Sequence, residues 1–284
     1  MRKTLAALLA LTAAILPSPP ASGQTLTVKV SDTLLDLSQK WAEAYTAKHP
    51  GAAIHVTGDV TTTAFATLAS KQADLILVSR GIRYKERQAC EAAYGRRPAE
   101  LKVAVSGLAV YVNPSNPVTI VNYDELAGVF QGQTQNWKTL DGGKDQPISA
   151  YALATNSVCG ELFNEEALSG KGFSSSVHLL SAPDIFKNIA ADPNGIGIGP
   201  FALAPGVKIL SIKRVFSSTP VEPTEESISR KLYPLSRFVY SYGSPAADAD
   251  QIKAYLEWVR GDDGQRVARE AGFYALPASA RSTQ

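Results

Sequence analysis

The stretch from Leu26 to Tyr45, LTVKVSDTLLDLSQKWAEAY, predicts a β-strand that turns directly into a helix. Apolar and polar residues alternate from Leu26 to Val30, which is the pattern of a half-buried strand. From Leu34 onward the apolar residues follow helical spacing instead, and Trp41 lies on the same helix face. Ser31-Asp32-Thr33 stand between the two patterns and have the residue types of a helix N-cap. This strand–turn–helix unit is typical of an α/β protein.

Similar units recur along the rest of the chain. Further strands are predicted over residues 53–57, 74–78, 101–113, 147–153, 196–198 and 233–242. Helices are predicted over 34–49, 84–94, 123–130, 181–191, 246–260 and 264–271. Two further helices are predicted at Thr61-Thr62-Thr63 and after Thr155-Asn156-Ser157. Residues 214–230 are rich in Ser, Thr, Pro and Glu and predict a surface excursion. The strands over 101–113 and 233–242 are long enough to cross between two lobes. We therefore expect two α/β lobes joined by two crossing strands.

The first 23 residues have the pattern of a signal peptide. Arg2 and Lys3 form a positive start, an apolar run continues to Leu16, and Ala21-Ser22-Gly23 offers small residues for cleavage. The apolar run is shorter than the roughly 20 residues that span a bilayer. We therefore expect export to the periplasm as a soluble protein whose mature chain begins near Gln24.

Charge and composition exclude several classes of protein. Removing the signal peptide takes away Arg2 and Lys3, so 28 Lys and Arg minus 2 leaves 26, against 26 Asp and Glu. A neutral chain has no electrostatic footprint for nucleic acid or for an anionic membrane surface. The three His and two Cys lack the spacing of metal ligands, so we expect no metal and no other cofactor. The residue order shows no catalytic triad or acid pair, so an enzyme is not expected.

The two cysteines leave two questions open. A disulfide between Cys90 and Cys159 would clamp the lobes together and must satisfy a narrow range of Cα separations. Cys159 follows a predicted helix start, where a thiol can become reactive. The alternative for Cys159 is a small buried residue without chemistry, since no neighbouring His or Lys activates it.

Polar residues follow several predicted strands at the points where helices begin. Hydroxyl pairs occur at Ser31/Thr33, Thr61/Thr62 and Thr155/Ser157, and Ser79-Arg80 adds a positive charge. Helix N-termini bind anions because their first N–H groups lack partners. The carboxyl ends of strands in an open α/β sheet are also where ligands bind. These turns together predict an anion site at one edge of the sheet. Arg80 has a structural alternative, a salt bridge that links the lobe to its hinge.

Several segments together match the pattern of a known family: Ser31-Asp32-Thr33-Leu34, Ser79-Arg80, Asn113-Pro114-Ser115-Asn116-Pro117-Val118, Asn136-Trp137-Lys138, Ile196-Gly197-Ile198-Gly199 and Tyr233-Pro234-Leu235-Ser236-Arg237. Through these segments the chain resembles the phosphate-type periplasmic solute-binding proteins of ABC transporters over nearly its whole mature length. The resemblance implies two α/β lobes of the type II-like fold that close on a ligand by a hinge motion. The corresponding lobe boundaries are 24–106 and 233–284 for the first lobe and 107–232 for the second.

The resemblance also implies a set of ligand-binding residues. In the family, hydroxyls and backbone N–H groups after the first strand hold phosphate, and a Gly/Ser-rich loop after the second strand contributes, here replaced by residues 60–64. The Ser-Arg turn of the family is present in this chain as Ser79-Arg80. The predicted binding residues are Thr33, Leu34, Thr61, Thr62, Ser79, Arg80, Asn156 and Ser157. The second lobe departs from the family, because Leu153 stands where an Arg is usual and Ser157-Val158-Cys159 replaces Ser-Gly-Thr.

This departure leaves the ligand open. An Arg–phosphate pair is a strong charge-assisted contact, and its loss weakens one wall of the cleft for an anion. The first hypothesis is phosphate or a related oxyanion, delivered by a monomer to the membrane subunits of an ABC transporter. The second is a small organic or more apolar ligand fitted by Val60, Leu153 and Val158. The third is an exported interaction module without a transport role.

Overall fold

The computed structural model describes residues 25–201, 206–215, 218–245, 247 and 249–281. The predicted signal peptide, residues 1–23, lies outside the described residues. The strands are β1 Leu26–Ser31, β2 Ile54–Asp59, β3 Leu75–Val78, β4 Ala99–Val112, β5 Ile120–Asn122, β6 Ser149–Ala152, β7 His178–Leu179, β8 Gly195–Pro200, β9 Lys208–Ile209, β10 Ser211–Lys213 and β11 Ser236–Gly243. The helices are α1 Leu35–Lys48, α2 Thr61–Ala69, α3 Tyr84–Tyr94, α4 Tyr123–Phe130, α5 Val158–Glu166, α6 Ala182–Ala191, α7 Glu225–Ser229, α8 Ala249–Arg260, α9 Asp262–Glu270 and α10 Ala278–Arg281.

Strand β4 belongs to both lobes and joins them. In the first lobe the strand order is β2-β1-β3-β11-β4, with β1 parallel to β2 and β3. In the second lobe it is β4-β8-β6-β7, with β6 parallel to its neighbours. Strand β4 pairs with β11 as far as Gly107 and with β8 from Leu108 onward. The predicted two-lobed α/β fold is confirmed. Of the two predicted crossing strands, β4 pairs with strands of both lobes, whereas β11 pairs with β3 and with the first-lobe part of β4. The lobe boundaries stay a prediction, and this change of partner supports the one at residue 107.

Gly107, where the partner changes, makes room for a neighbouring helix. A Cβ atom on Gly107 would lie 2.6 Å from Cγ2 of Ile228, which is closer than side-chain carbons pack. Ile228 belongs to α7 and is fully buried. The helix lies within residues 214–230, so the prediction of a surface excursion there is wrong at its C-terminal end. Thr224 and Ser227 form a capping box at the start of α7, and polar capping residues gave this segment its surface-like composition.

Helices cover both faces of the sheet in each lobe. Side chains of β3 alternate between two cores, Leu75 and Leu77 packing with Trp41 of α1 on one face. Ile76 and Val78 pack on the other face with residues of α2 and α3. A strand buried on both faces has no polar side, and the apolar run of β3 in the sequence reflects this. Strand β4 is buried in the same way from Val103 to Val112.

The predicted strand over 233–242 is wrong at its start. Strand β11 begins at Ser236, after Pro234, which has no N–H to donate to a neighbouring strand. Four strands, β5, β7, β9 and β10, were not predicted, because two or three residues are too few to show a period. Within the described residues, no helix is both long and apolar enough to cross a membrane.

Candidate ligand-binding cleft

The parallel strands of the first lobe end together at one edge of the sheet. Ser31 ends β1, Thr61 begins α2 just after β2, and Ser79 follows β3 directly. The hydroxyl oxygens of Ser31 and Thr61 lie 2.7 Å apart and share a hydrogen bond. Parallel β1 and β2 bring these turns side by side, since their register pairs Ser31 with Asp59. This edge is the place where open α/β sheets bind ligands.

The start of α5 in the second lobe faces this edge. Between the two lies a cavity of about 210 Å³ that is lined by Ser31, Asp32, Thr33, Val60, Thr61, Thr155, Asn156 and Glu161. The volume is below the roughly 300–1,000 Å³ of sites that hold drug-sized ligands. The cavity therefore suits a ligand of a few heavy atoms, and all of its lining residues except Val60 have polar side chains.

Glu161, in the first turn of α5, connects the two lobes. Its Oε2 accepts a hydrogen bond of 3.0 Å from Thr33 Oγ1 and another of 2.8 Å from Arg237 Nη2. Its Oε1 accepts a longer contact of 3.4 Å from Ser79 Oγ. Donors from the turns after β1 and β3 and from β11 itself thus converge on a single carboxylate.

Arg237 is the cation of this cleft. It is the second residue of β11, opposite Ser106, where β4 passes from one lobe to the other. Its Nη1 also donates to Glu165 Oε2 at 2.6 Å, and its side chain is only 6% exposed. Its Nε is buried and has no hydrogen-bond partner among the described residues. A buried N–H without an acceptor is unfavourable, so an oxygen from a ligand would stabilise it.

The structure places the eight predicted binding residues in different surroundings. Thr33, Thr61 and Asn156 line the cavity, and Ser79 reaches its edge through Glu161. The side chain of Leu34 is in the core, Thr62 is exposed, and Ser157 caps α5 by accepting a hydrogen bond from Gly160 N. Arg80 pairs with another residue of its own lobe. The assignment of these residues to ligand binding stays a prediction.

Arg80 forms a salt bridge, as its structural alternative predicted, but the partner lies within the first lobe and not at the hinge. Its guanidinium donates to both carboxylate oxygens of Glu86, at 2.7 and 2.9 Å, and lies over the ring of Phe65. The hydrogen bonds to Glu86 raise the pKa of Arg80. This pair ties the end of β3 to the first turn of α3, so Arg80 acts as a local structural residue in this conformation.

The prediction that hydroxyl side chains cap three of the site helices is wrong for two of them. The N-cap residues of α1 and α2 are Leu34 and Val60, which have no side-chain oxygen. The nearby hydroxyls of Ser31 and Thr61 bond to each other instead, because β1 and β2 are adjacent. The first N–H groups of α2 therefore have no acceptor from a cap side chain, which favours an anion at the same edge. Helix α1 instead continues a 3-10 turn over Asp32–Leu34, and Leu35 N donates to the carbonyl oxygen of Asp32.

Comparison with known proteins identifies the family. A sequence model described as the PBP superfamily domain matches residues 17–263. The phosphate-binding protein PstS of Pseudomonas aeruginosa is 30% identical over 266 residues, which cover 87% of this chain and 82% of that protein. This chain is a phosphate-type periplasmic binding protein. Protein SphX of Synechococcus elongatus is 29% identical, with 95% of this chain and 84% of SphX covered.

Solved structures agree with this family. The crystal structure of a possible phosphate binding protein from Planctomyces limnophilus superposes with a TM-score of 0.81 at 25% identity, over 92% of this chain and 96% of that one. An ABC-type phosphate transport receptor from Vibrio cholerae has the same fold, with a TM-score of 0.72 at 22% identity over 89% of this chain and all of that one. The predicted resemblance and the fold class are confirmed.

Sequence reasoning missed two residues of the cleft in this periplasmic binding protein. Glu161 lies one helical turn after Ser157, and residues four apart share a helix face. The four-residue spacing was therefore a sequence signal that Glu161 shares the helix face of Ser157. Arg237 was noted only as part of a matching segment, and its place at the hinge depends on the register of β11 with β4.

The cysteines of this periplasmic binding protein are buried and unpaired. Burial raises the pKa of the Cys159 thiol to about 12, and burial also raises the pKa of the Cys90 thiol. The thiolate is the reactive form, so the structure supports the role of Cys159 as a small buried residue.

We expect both thiols to be unreactive in the native protein. At about pH 8, a thiol with a pKa of about 12 is ionised in roughly one molecule in 10,000, and burial also blocks the reagent. A chromogenic disulfide reagent should therefore detect no thiol in the native protein and two thiols per chain in urea. A fast reaction of one thiol before unfolding would show that Cys159 is exposed to the cleft.

Proposed function

We propose that this chain is an exported receptor that captures inorganic phosphate, or a closely related oxyanion, between its two lobes and passes it to an ABC transporter. The observation that carries this proposal is the convergence of Thr33, Ser79 and Arg237 on one pair of carboxylate oxygens. Hydroxyls and a guanidinium that hold a carboxylate are also the donors that hold an oxyanion.

The arrangement of donors on both sides of the cavity supports capture of the ligand by closure of the two lobes. The donors come from the first lobe and from the hinge strand β11, whereas Thr155 and Asn156 approach the cavity from the second lobe. A ligand that contacts both sides stabilises the closed arrangement, as in hinge-closing binding proteins. The names of the relatives in Pseudomonas aeruginosa and Vibrio cholerae support phosphate as the ligand and a transporter as the partner. Export to the periplasm rests on the signal-peptide pattern of residues 1–23. We propose that the receptor works as a monomer.

The positions of the apolar residues argue against a small organic ligand. Of the three residues proposed to fit an apolar molecule, only Val60 lines the cavity. Leu153 packs against the cores of the second lobe, and Val158 packs against a core of the first lobe. These two side chains therefore pack against the hydrophobic cores and do not line the cavity.

We expect phosphate to stabilise the purified mature protein. A ligand that binds only the native state at 100 times its Kd adds about 2.7 kcal/mol of stability. For a chain of this size the melting temperature should rise by roughly 5–10 °C. Thr33→Val, which removes one donor, should weaken binding about tenfold. Thr46→Val is the matched control, because the Thr46 hydroxyl bonds only within α1.

The proposal has a clear negative result. If phosphate, arsenate and sulfate at millimolar concentration all leave the melting temperature unchanged, the oxyanion function is excluded. A stabilising effect of an organic panel would then favour the second hypothesis. No effect of any small ligand would favour the interaction module.

A further inference from the structure

Glu161 occupies the place where a bound oxyanion would be expected. Its two carboxylate oxygens accept from Thr33 Oγ1, Ser79 Oγ and Arg237 Nη2, so they satisfy the donors of the first lobe and of the hinge. A carboxylate presents two of the oxygens that a tetrahedral oxyanion would present to the same donors. The donor set is therefore already engaged by a residue of this chain.

The charges around the cavity also oppose the binding of an external anion while Glu161 holds these donors. Among the described residues that line it, Asp32 and Glu161 are acidic and none is basic. Arg237 reaches the cavity only through Glu161, and it is paired with both Glu161 and Glu165. An incoming anion would meet like charge without a free counter-charge, and like charges at short distance repel strongly in a partly buried site.

We propose that Glu161 is an internal competitor of the ligand, which must leave Thr33, Ser79 and Arg237 before an external oxyanion can bind there. This inference rests on the proposed function and adds the regulation of that same site. The Glu161 side chain is 25% exposed, so it has a route to solvent. Arg237 stays oriented after Glu161 leaves, because its Nη1 remains paired with Glu165.

The released donors form a complete oxyanion site. They are the hydroxyls of Thr33 and Ser79, Nη2 of Arg237, and the buried Nε of Arg237, which lacks an acceptor among the described residues. Arg237 thereby supplies the guanidinium that the second lobe lacks at Leu153. Its planar fork suits two oxygens of one oxyanion.

The test compares phosphate binding by calorimetry in four proteins: the wild-type mature chain, Glu161→Ala, Glu161→Gln and Glu166→Ala. Glu161→Ala removes the competitor and should bind inorganic phosphate at least about tenfold more tightly than the wild type. Glu161→Gln keeps the shape and removes the charge, so it should also bind more tightly. Glu166→Ala is the control on the same helix, since Glu166 pairs with Arg214 away from the cavity. It should match the wild type.

The results separate the two proposals. Equal affinity in the wild type and both Glu161 variants would overturn the inference and leave the oxyanion function intact. Weaker binding in the Glu161 variants would also overturn it, because Glu161 would then assist the ligand. No binding of phosphate by any of the four proteins would contradict the phosphate function itself, and the inference would fall with it. Melting curves of each variant without ligand verify that all four are folded.

Discussion

Replacing Arg237 with alanine is expected to lower the free energy of unfolding by about 2–3 kcal/mol. Breaking a buried ion pair by removing one partner costs about 3–5 kcal/mol, because an unpaired charge stays behind. The expected loss is smaller here, since the side chains of Glu161 and Glu165 are 25% and 43% exposed and water can solvate them. Urea denaturation followed by circular dichroism measures the difference.

The control for this variant is Arg230→Ala. Arg230 and Glu226 form an exposed pair within one helical turn, and such pairs contribute about 0.3–0.5 kcal/mol. Arg237→Lys is a second comparison, because it keeps the charge and loses the planar fork. It should retain part of the stability and bind phosphate more weakly than the wild type. An Arg237→Ala variant as stable as Arg230→Ala would show that Arg237 does not hold the hinge.

Replacing Trp41 with alanine is expected to cost about 3–5 kcal/mol, the range for truncating a buried large aromatic residue. Trp41 is fully buried in the first lobe, and its Nε1 donates a 2.7 Å hydrogen bond to the carbonyl oxygen of Gly264. It thereby joins α1 to α9 across most of the chain length. The variant should unfold at lower urea concentration by circular dichroism.

Trp41→Phe separates packing from hydrogen bonding. Phenylalanine keeps most of the apolar volume but leaves the Gly264 carbonyl without its donor, which costs about 1–3 kcal/mol. A loss in Trp41→Ala no larger than in Trp41→Phe would contradict the packing argument. Phosphate affinity should stay unchanged in Trp41→Phe, because the residue lies in the core away from the cleft.

Secondary structure was predictable where the signals were local. Helix α4 has the predicted bounds Tyr123–Phe130, and Asn122 and Glu125 form the capping box that starts it. The long apolar run of β4 correctly predicted a strand that serves both lobes. The start of β11 was predicted wrongly, because Pro234 cannot donate to a neighbouring strand, and α7 was not predicted, because it packs through a single buried isoleucine.

The sequence also identified the edge of the sheet at which the site lies. Ser31, Thr61 and Ser79 each follow a strand, and parallel strands necessarily bring such turns together. Which hydroxyl faces the ligand was not predictable, because side-chain direction depends on the neighbouring turn. Ser31 and Thr61 bond to each other, whereas Thr33 reaches across to the second lobe.

By itself the sequence determined the α/β class, the two lobes and the family, because hydrophobic period, caps and turn residues act between neighbours in the chain. The charge balance of the cleft was decided only by the tertiary structure. Thr33 and Glu161 are separated by 128 residues, and Glu161 and Arg237 by 76. Electrostatic pairing depends on distance in space, so only the folded arrangement of β1, α5 and β11 shows that a carboxylate of the chain accepts hydrogen bonds from Thr33 and Arg237.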